Sequence, residues 1–188
     1  MAAIVLFHSL LGLRNLELDA ANRLRAGGHS VFTPDLFGGA SRASYDAGFT
    51  LKDQIGWPLI LERARQSLTG LPEETVLAGF SFGAGVASAL WPQRPLTAGV
   101  LFLHGIAGVP ETARAGLPLQ VHLADPDPFE PADEVAGWRQ WVAKTPVIPE
   151  VFLYPGPGHL FTDPSLPSHD AEASALLWSR VTDFLANL

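Results

Sequence analysis

The chain has 188 residues, no cysteine and a formal charge of −7, with 47% hydrophobic and 16% charged residues. This composition excludes disulfides, thiolate metal sites and a cysteine nucleophile. It also argues against nucleic-acid partners, because no lysine or arginine cluster stands out that would track phosphates.

The length suits one domain, residues 1–188, large enough to bury a substantial core without a metal or disulfide staple. The apolar N-terminal run has no basic residue ahead of it and contains His8, Ser9 and Gly12, so it reads poorly as a secretion signal. No stretch is long and apolar enough to span a bilayer. The expectation is a cytoplasmic protein, monomer or homodimer, with no membrane partner.

Strand-like apolar runs fall at 3–7, 30–34, 75–79, 98–104, 119–124 and 150–154. Most are continuous rather than alternating, as in strands covered on both faces. Helical patterns fall between them at 16–25, stopped by Gly27-Gly28, at 58–68, at 83–91, at 132–143 and at 171–188. The last repeats Leu177, Val181, Phe184 and Leu188 at helical spacing. Residues 37–49 and 155–168, rich in Gly, Pro, Ser and Asp, read as functional loops. A strand–helix alternation of this kind predicts an α/β fold with a mostly parallel sheet and helices on both faces. Ligands then bind beyond the carboxyl ends of the strands.

At one of those ends stands Gly79-Phe80-Ser81-Phe82-Gly83, between a strand and a helix. In such a G-x-S-x-G turn, strained backbone exposes the serine hydroxyl at the helix N-terminus. A serine hydroxyl is a weak nucleophile and needs a base plus a group that orients the base. Four histidines follow Ser81. His122 lies within a strand, His169 opens the last helix, and His104 ends a strand, where it is a candidate pocket contact. His159 sits in a loop after the last strand, the place from which a base reaches the nucleophile. The orienting acid should follow the preceding strand, where Asp125 and Asp127 compete; spacing does not choose between them, and the other is a turn former. Two backbone N–H groups should face the developing oxyanion, one from Phe82 and one from the loop 8–12 after the first strand.

These segments resemble the dienelactone hydrolase family, a compact branch of the α/β-hydrolases without a large cap, over nearly the whole chain. Residues 7–13 resemble the family's oxyanion loop, Pro34-Asp35-Leu36-Phe37 its segment after the second strand, and residues 79–83 its elbow. Residues 125–131 resemble its acid loop, and residues 154–161 its base loop. The resemblance implies Asp127 as the acid and Leu10 as the second oxyanion donor. It departs at two positions: Ser81 stands where the family's cysteine does, and Ser9 where its thiol-controlling glutamate does. The two changes agree, because a Ser-His-Asp triad has no thiol to control.

The expected activity is hydrolysis of small carboxylic esters or lactones through an acyl-enzyme, with no metal and no organic cofactor required. The same triad would serve a thioesterase or amidase, and the same fold a non-catalytic binding module. Candidate pocket residues are Ser9, Phe37, Tyr45, Trp57, Phe82, His104, Phe129 and Phe161.

Overall fold

The computed structural model describes residues 1–156 and 158–188. Among them, six strands form one sheet: β1 (Ala3–Phe7), β2 (Ser30–Phe32), β3 (Val76–Phe80), β4 (Val100–Leu103), β5 (Pro118–Asp125) and β6 (Ile148–Pro155). Six α-helices accompany them: α1 (Asn15–Ala26), α2 (Tyr45–Ile55), α3 (Trp57–Ser67), α4 (Phe82–Leu90), α5 (Ala132–Val142) and α6 (Ala171–Ala186). The strand order is β2-β1-β3-β4-β5-β6, and every neighbouring pair is parallel. This is the α/β-hydrolase architecture, with no large cap.

Side chains along a strand point alternately to the two faces, and the apolar runs supply both. On one face, Val5, Phe7, Leu77, Phe102, Val121 and Leu123 pack with Ile60 and Ala64 of α3, Ala84 and Ala87 of α4, and Val135 of α5. On the other, Ile4, Leu6, Val76, Phe80, Leu101 and Leu103 pack with Leu16, Ala20 and Leu24 of α1 and Leu177, Val181 and Phe184 of α6. Both faces are therefore covered, which explains why the strands read as unbroken apolar runs.

The sequence pattern did not reveal α2, whose start lies inside the expected loop 37–49. Ser44 caps it by accepting the Ala47 N–H at 3.4 Å, and the helix then runs to Ile55. Glycine and serine on either side hide the pattern, and Gly48 has a tertiary reason. A Cβ there would stand 2.8 Å from the Leu10 carbonyl oxygen, so α2 can lie against the loop after β1 only with glycine at the contact.

The chain places β2 on one side of β1 and β3 on the other. The crevice beyond β1 and β3 is thus the point where the winding direction changes, and in open α/β sheets ligands bind at that point. The loop after β1 and the turn after β3 meet there. No described helix is long and apolar enough to cross a membrane.

Candidate active site

Ser81 lies between β3 and α4 with φ 50° and ψ −109°, a conformation that costs a non-glycine residue of order 1–3 kcal/mol. The surroundings hold it there. Its N–H donates to the Leu103 carbonyl at 2.7 Å, and its carbonyl accepts the Ala84 N–H at 2.8 Å. The flanking glycines are required by space: a Cβ on Gly79 would run into the backbone of Gly83, and one on Gly83 into the carbonyl of Phe7. Two other non-glycine residues have positive φ among those described, His104 (60°) and Leu160 (55°). One follows β4 and the other adjoins His159.

The structure brings Ser81, His159 and Asp127 into one chain of contacts. Ser81 Oγ is 2.8 Å from His159 Nε2, and His159 Nδ1 is 2.8 Å from Asp127 Oδ2. Asp127 Oδ1 accepts the Phe129 N–H at 2.9 Å, which fixes the carboxylate. With a carboxylate on Nδ1, the neutral imidazole carries its proton there, so Nε2 is free to accept from the serine. Asp127 and His159 are buried, whereas Asp125 at the end of β5 is exposed. The hydroxyl of Ser168 donates to the His159 carbonyl at 2.8 Å, and the rings of Phe129 (4.7 Å) and Tyr45 (5.7 Å) flank the imidazole.

The loop after β1 is pinned at both of its relevant peptides. Leu36 N–H donates to His8 Nε2 at 3.1 Å, so the His8 proton sits on Nδ1 and donates to the Ser9 carbonyl at 2.7 Å. That carbonyl and the Leu10 N–H belong to one planar unit, and fixing the first aims the second the opposite way. Burial pushes the His8 pKa down and keeps it neutral, against the Ser9 hydrogen bond and the charges of Glu17 and Asp35. Glu17 in the first turn of α1 accepts the Ser9 N–H at 2.9 Å and the Arg14 N–H at 3.0 Å.

A cavity of about 340 Å³ opens over Ser81, lined by Leu10, Phe82 and His159 together with Tyr45, Phe49, Lys52, Trp57, Gly85, Ile106, Phe129 and Glu130. Of the expected pocket residues, Tyr45, Trp57, Phe82 and Phe129 line it. Four others do not, and each is absorbed elsewhere by burial. Ser9 is fully buried within the loop after β1. Phe37 packs in the core with its ring 4.6 Å from His8 and 5.7 Å from Phe82. Phe161 lies in the core face of α1 and α6. His104 is fully buried behind the site, stacked on Phe80 and bonded through Nε2 to Thr162 Oγ1 at 2.7 Å. Its burial, then the nearby His159 and His122, press its pKa well down.

Phe49, Lys52 and Glu130 went unnoticed in the sequence. The first two follow Tyr45 by four and seven residues, a helical face that becomes visible only once α2 is known. Glu130 follows Asp127 by three residues, and the direction its carboxyl takes is set by the Ile106 N–H rather than by spacing. Among the described residues, no three His, Asp or Glu side chains gather as metal ligands would.

The profile of the dienelactone hydrolase family matches residues 1–188. The chain belongs to this hydrolase family. A Synechocystis protein provisionally named carboxymethylenebutenolidase is 24% identical, over 95% of this chain and 82% of its own. Among solved structures, a dienelactone hydrolase-like promiscuous phosphotriesterase from metagenomic libraries superposes with a TM-score of 0.80 at 22% identity, covering 100% of this chain and 87% of that one. A protein from Xanthomonas campestris, provisionally classed as a hydrolase of the α/β superfamily, gives a TM-score of 0.63 at 25% identity and 100% coverage of both chains.

Proposed function

We propose that this member of the family is a carboxylic-ester hydrolase acting on small esters or lactones through a Ser81-His159-Asp127 triad. The observation that carries the reading is the contact chain Ser81 Oγ–His159 Nε2–His159 Nδ1–Asp127 Oδ2, with 2.8 Å at each hydrogen bond. Ser81 Oγ attacks the acyl carbonyl as its proton passes to His159 Nε2. Asp127 stabilises the imidazolium through Nδ1–H without itself taking the proton. The N–H groups of Leu10 and Phe82 receive the oxyanion. His159 then returns the proton to the leaving alcohol, and an acyl-Ser81 remains. A water attacks next, giving its proton to Nε2, and the acid departs as Ser81 Oγ is reprotonated.

A cavity of about 340 Å³ lies at the small end of ligand sites, which favours a short acyl group over a lipid chain. Phe49, Trp57 and Phe129 give it an aromatic wall, and the buried His159–Asp127 pair sharpens the electrostatics of proton transfer.

A fluorophosphonate probe followed by peptide mass mapping tests the nucleophile, with Ser81 as the expected labelled residue. The substitution Ser81→Ala should abolish both labelling and p-nitrophenyl acetate hydrolysis. Label on another residue, or activity retained by S81A, overturns the mechanism.

A further inference from the structure

Glu130 is a carboxyl in the cavity wall to which the triad gives no task. Its Oε1 accepts the Ile106 N–H at 3.1 Å. The space beside Gly105 is bounded at 3.2 Å by that same oxygen and at 3.3 Å by Ser81 Cα, so the carboxyl and the nucleophile are neighbours. Nothing in the cavity lining offsets its charge freely. The lining contains no arginine, and its one lysine, Lys52, has Nζ 2.9 Å from Asp53 Oδ1 and 5.5 Å from the Phe49 ring centroid.

We propose that Glu130 sets the substrate class of this site: the cavity takes small uncharged esters and turns away esters that carry a negative charge near the scissile bond. The inference rests on the reading that Ser81 turns over esters. An anionic acyl group entering this space would meet the Glu130 carboxylate with no free cation to receive it, whereas an uncharged ester carries no such penalty. Burial, then the nearby charges of Asp127 and Glu134, against the Ile106 hydrogen bond, raise the Glu130 pKa to about 7. Selection should therefore switch on as pH rises through neutrality. The other groups around the carboxyl are His159, Tyr45 and Lys52 across the cavity, with Asp125 and Arg139 on its reverse side. Burial, then Asp127, holds the Tyr45 hydroxyl at about 12, so that group stays neutral through this range. Among them, His159 is the proposed catalytic base, and the experiment must separate its contribution from that of Glu130.

Dimethyl succinate and monomethyl succinate differ by one methyl group and one charge, and their hydrolysis can be followed by pH-stat. The ratio of their kcat/KM values cancels any titration that affects both alike. In the wild type the diester-to-monoester ratio should rise about tenfold between pH 6 and pH 8, the effect of one charge a few ångströms away in a medium between protein and water. In Glu130→Gln, which keeps the acceptor for Ile106, the ratio should be flat and the monoester relatively better used. A ratio that is flat in the wild type overturns the proposal. One that changes equally in both proteins assigns the effect to a group other than Glu130 and also overturns it. Ser81 labelling is read on the same samples. Labelled Ser81 with neither ester hydrolysed overturns the substrate class alone, while unlabelled Ser81 removes the esterase reading and this inference with it.

Discussion

Arg14 Nη2 donates to Asp163 Oδ2 at 2.5 Å, across 149 residues of chain. Arg14 stands just before α1, at the end of the loop after β1, and Asp163 lies four residues beyond His159. The pair therefore ties the loop that holds Leu10 to the segment that follows His159. Asp163 is 2% exposed and Arg14 17%. Burial raises the Asp163 pKa, but two hydrogen bonds from Ser165 and the Arg14 charge outweigh it and hold the carboxyl below its usual range. The substitution Arg14→Ala leaves a buried carboxylate short of a partner and should destabilise by about 1–3 kcal/mol. A double-mutant cycle with Asp163→Asn in urea denaturation should give a coupling of about 1–2 kcal/mol. A coupling near zero would show that the two loops hold their places independently.

Glu17 acts on the same loop from the other side, through the N–H groups of Ser9 and Arg14. In Glu17→Ala both donors lose their partner, which should cost about 2 kcal/mol or more in stability. Because it also frees the peptides that aim Leu10 N–H, kcat for a short ester should fall by about 10- to 100-fold, in the range of a misplaced transition-state contact. Glu17→Gln keeps one acceptor oxygen and should recover part of both losses. A kcat unchanged in Glu17→Ala, in protein still folded, would remove the loop's peptide from the oxyanion site.

The two aspartates of the acid loop separate cleanly in the structure. Asp127 is buried against His159, and Asp125 is exposed with no side-chain hydrogen bond among the described residues. Asp127→Asn should lower kcat by about 10⁴, because the amide stabilises the wrong imidazole tautomer. Asp125→Asn should stay within a few-fold of wild type. The opposite pattern in a p-nitrophenyl acetate assay would transfer the role to Asp125.

The sequence made the strand–helix alternation legible, and with it the elbow at Ser81 and the loop position of His159, since these depend on local pattern and on chain order. The choice of Asp127 over Asp125 rests on a resemblance, because both are turn formers beside proline. What stayed hidden was tertiary. Phe49 and Lys52 face the cavity only through α2, whose helical signal is diluted by Gly48, a residue chosen for its contact with Leu10. Phe37, Phe161 and His104 carry the residue types of a pocket wall, yet the face on which each falls is set by packing. Nothing in their spacing records it.

Three buried histidines make stability depend on pH. Burial pushes His8 and His104 below the ordinary 6.5 and His122 down to about 3, so below pH 6.5 the unfolded chain binds protons that the folded one refuses. Their contribution is present above pH 6.5 and is lost as pH falls, by up to about 1.4 kcal/mol per pH unit for each histidine. Glu130 works the other way: raised from 4.5 to about 7, it contributes stability below about pH 4.5 that is lost as pH rises through 7. The histidines outnumber it, so urea midpoints should fall on acidification from pH 6.5 to 5. Glu130→Gln should steepen that fall by removing the opposing group. A flat profile in the wild type would mean that the histidines are hydrated enough to titrate in the folded state.

Gly79 and Gly85 lie six residues apart on either side of Ser81, but their surroundings differ. A Cβ on Gly79 has no space that does not belong to the backbone of Gly83, and relief would require moving the elbow itself. Gly79→Ala should therefore destabilise by about 3 kcal/mol or more, with loss of Ser81 labelling in whatever protein remains folded. Gly85 is inside α4 with nothing within 4 Å of its Cβ position. Alanine there should stabilise by roughly 0.5–1 kcal/mol, the helical preference over glycine. Gly85 also lines the cavity, so Gly85→Ala should shift preference toward shorter acyl chains, seen as a higher ratio of acetate to butyrate kcat/KM. A stabilised variant with an unchanged ratio would place the acyl group away from α4, on the side of Phe129 and Glu130.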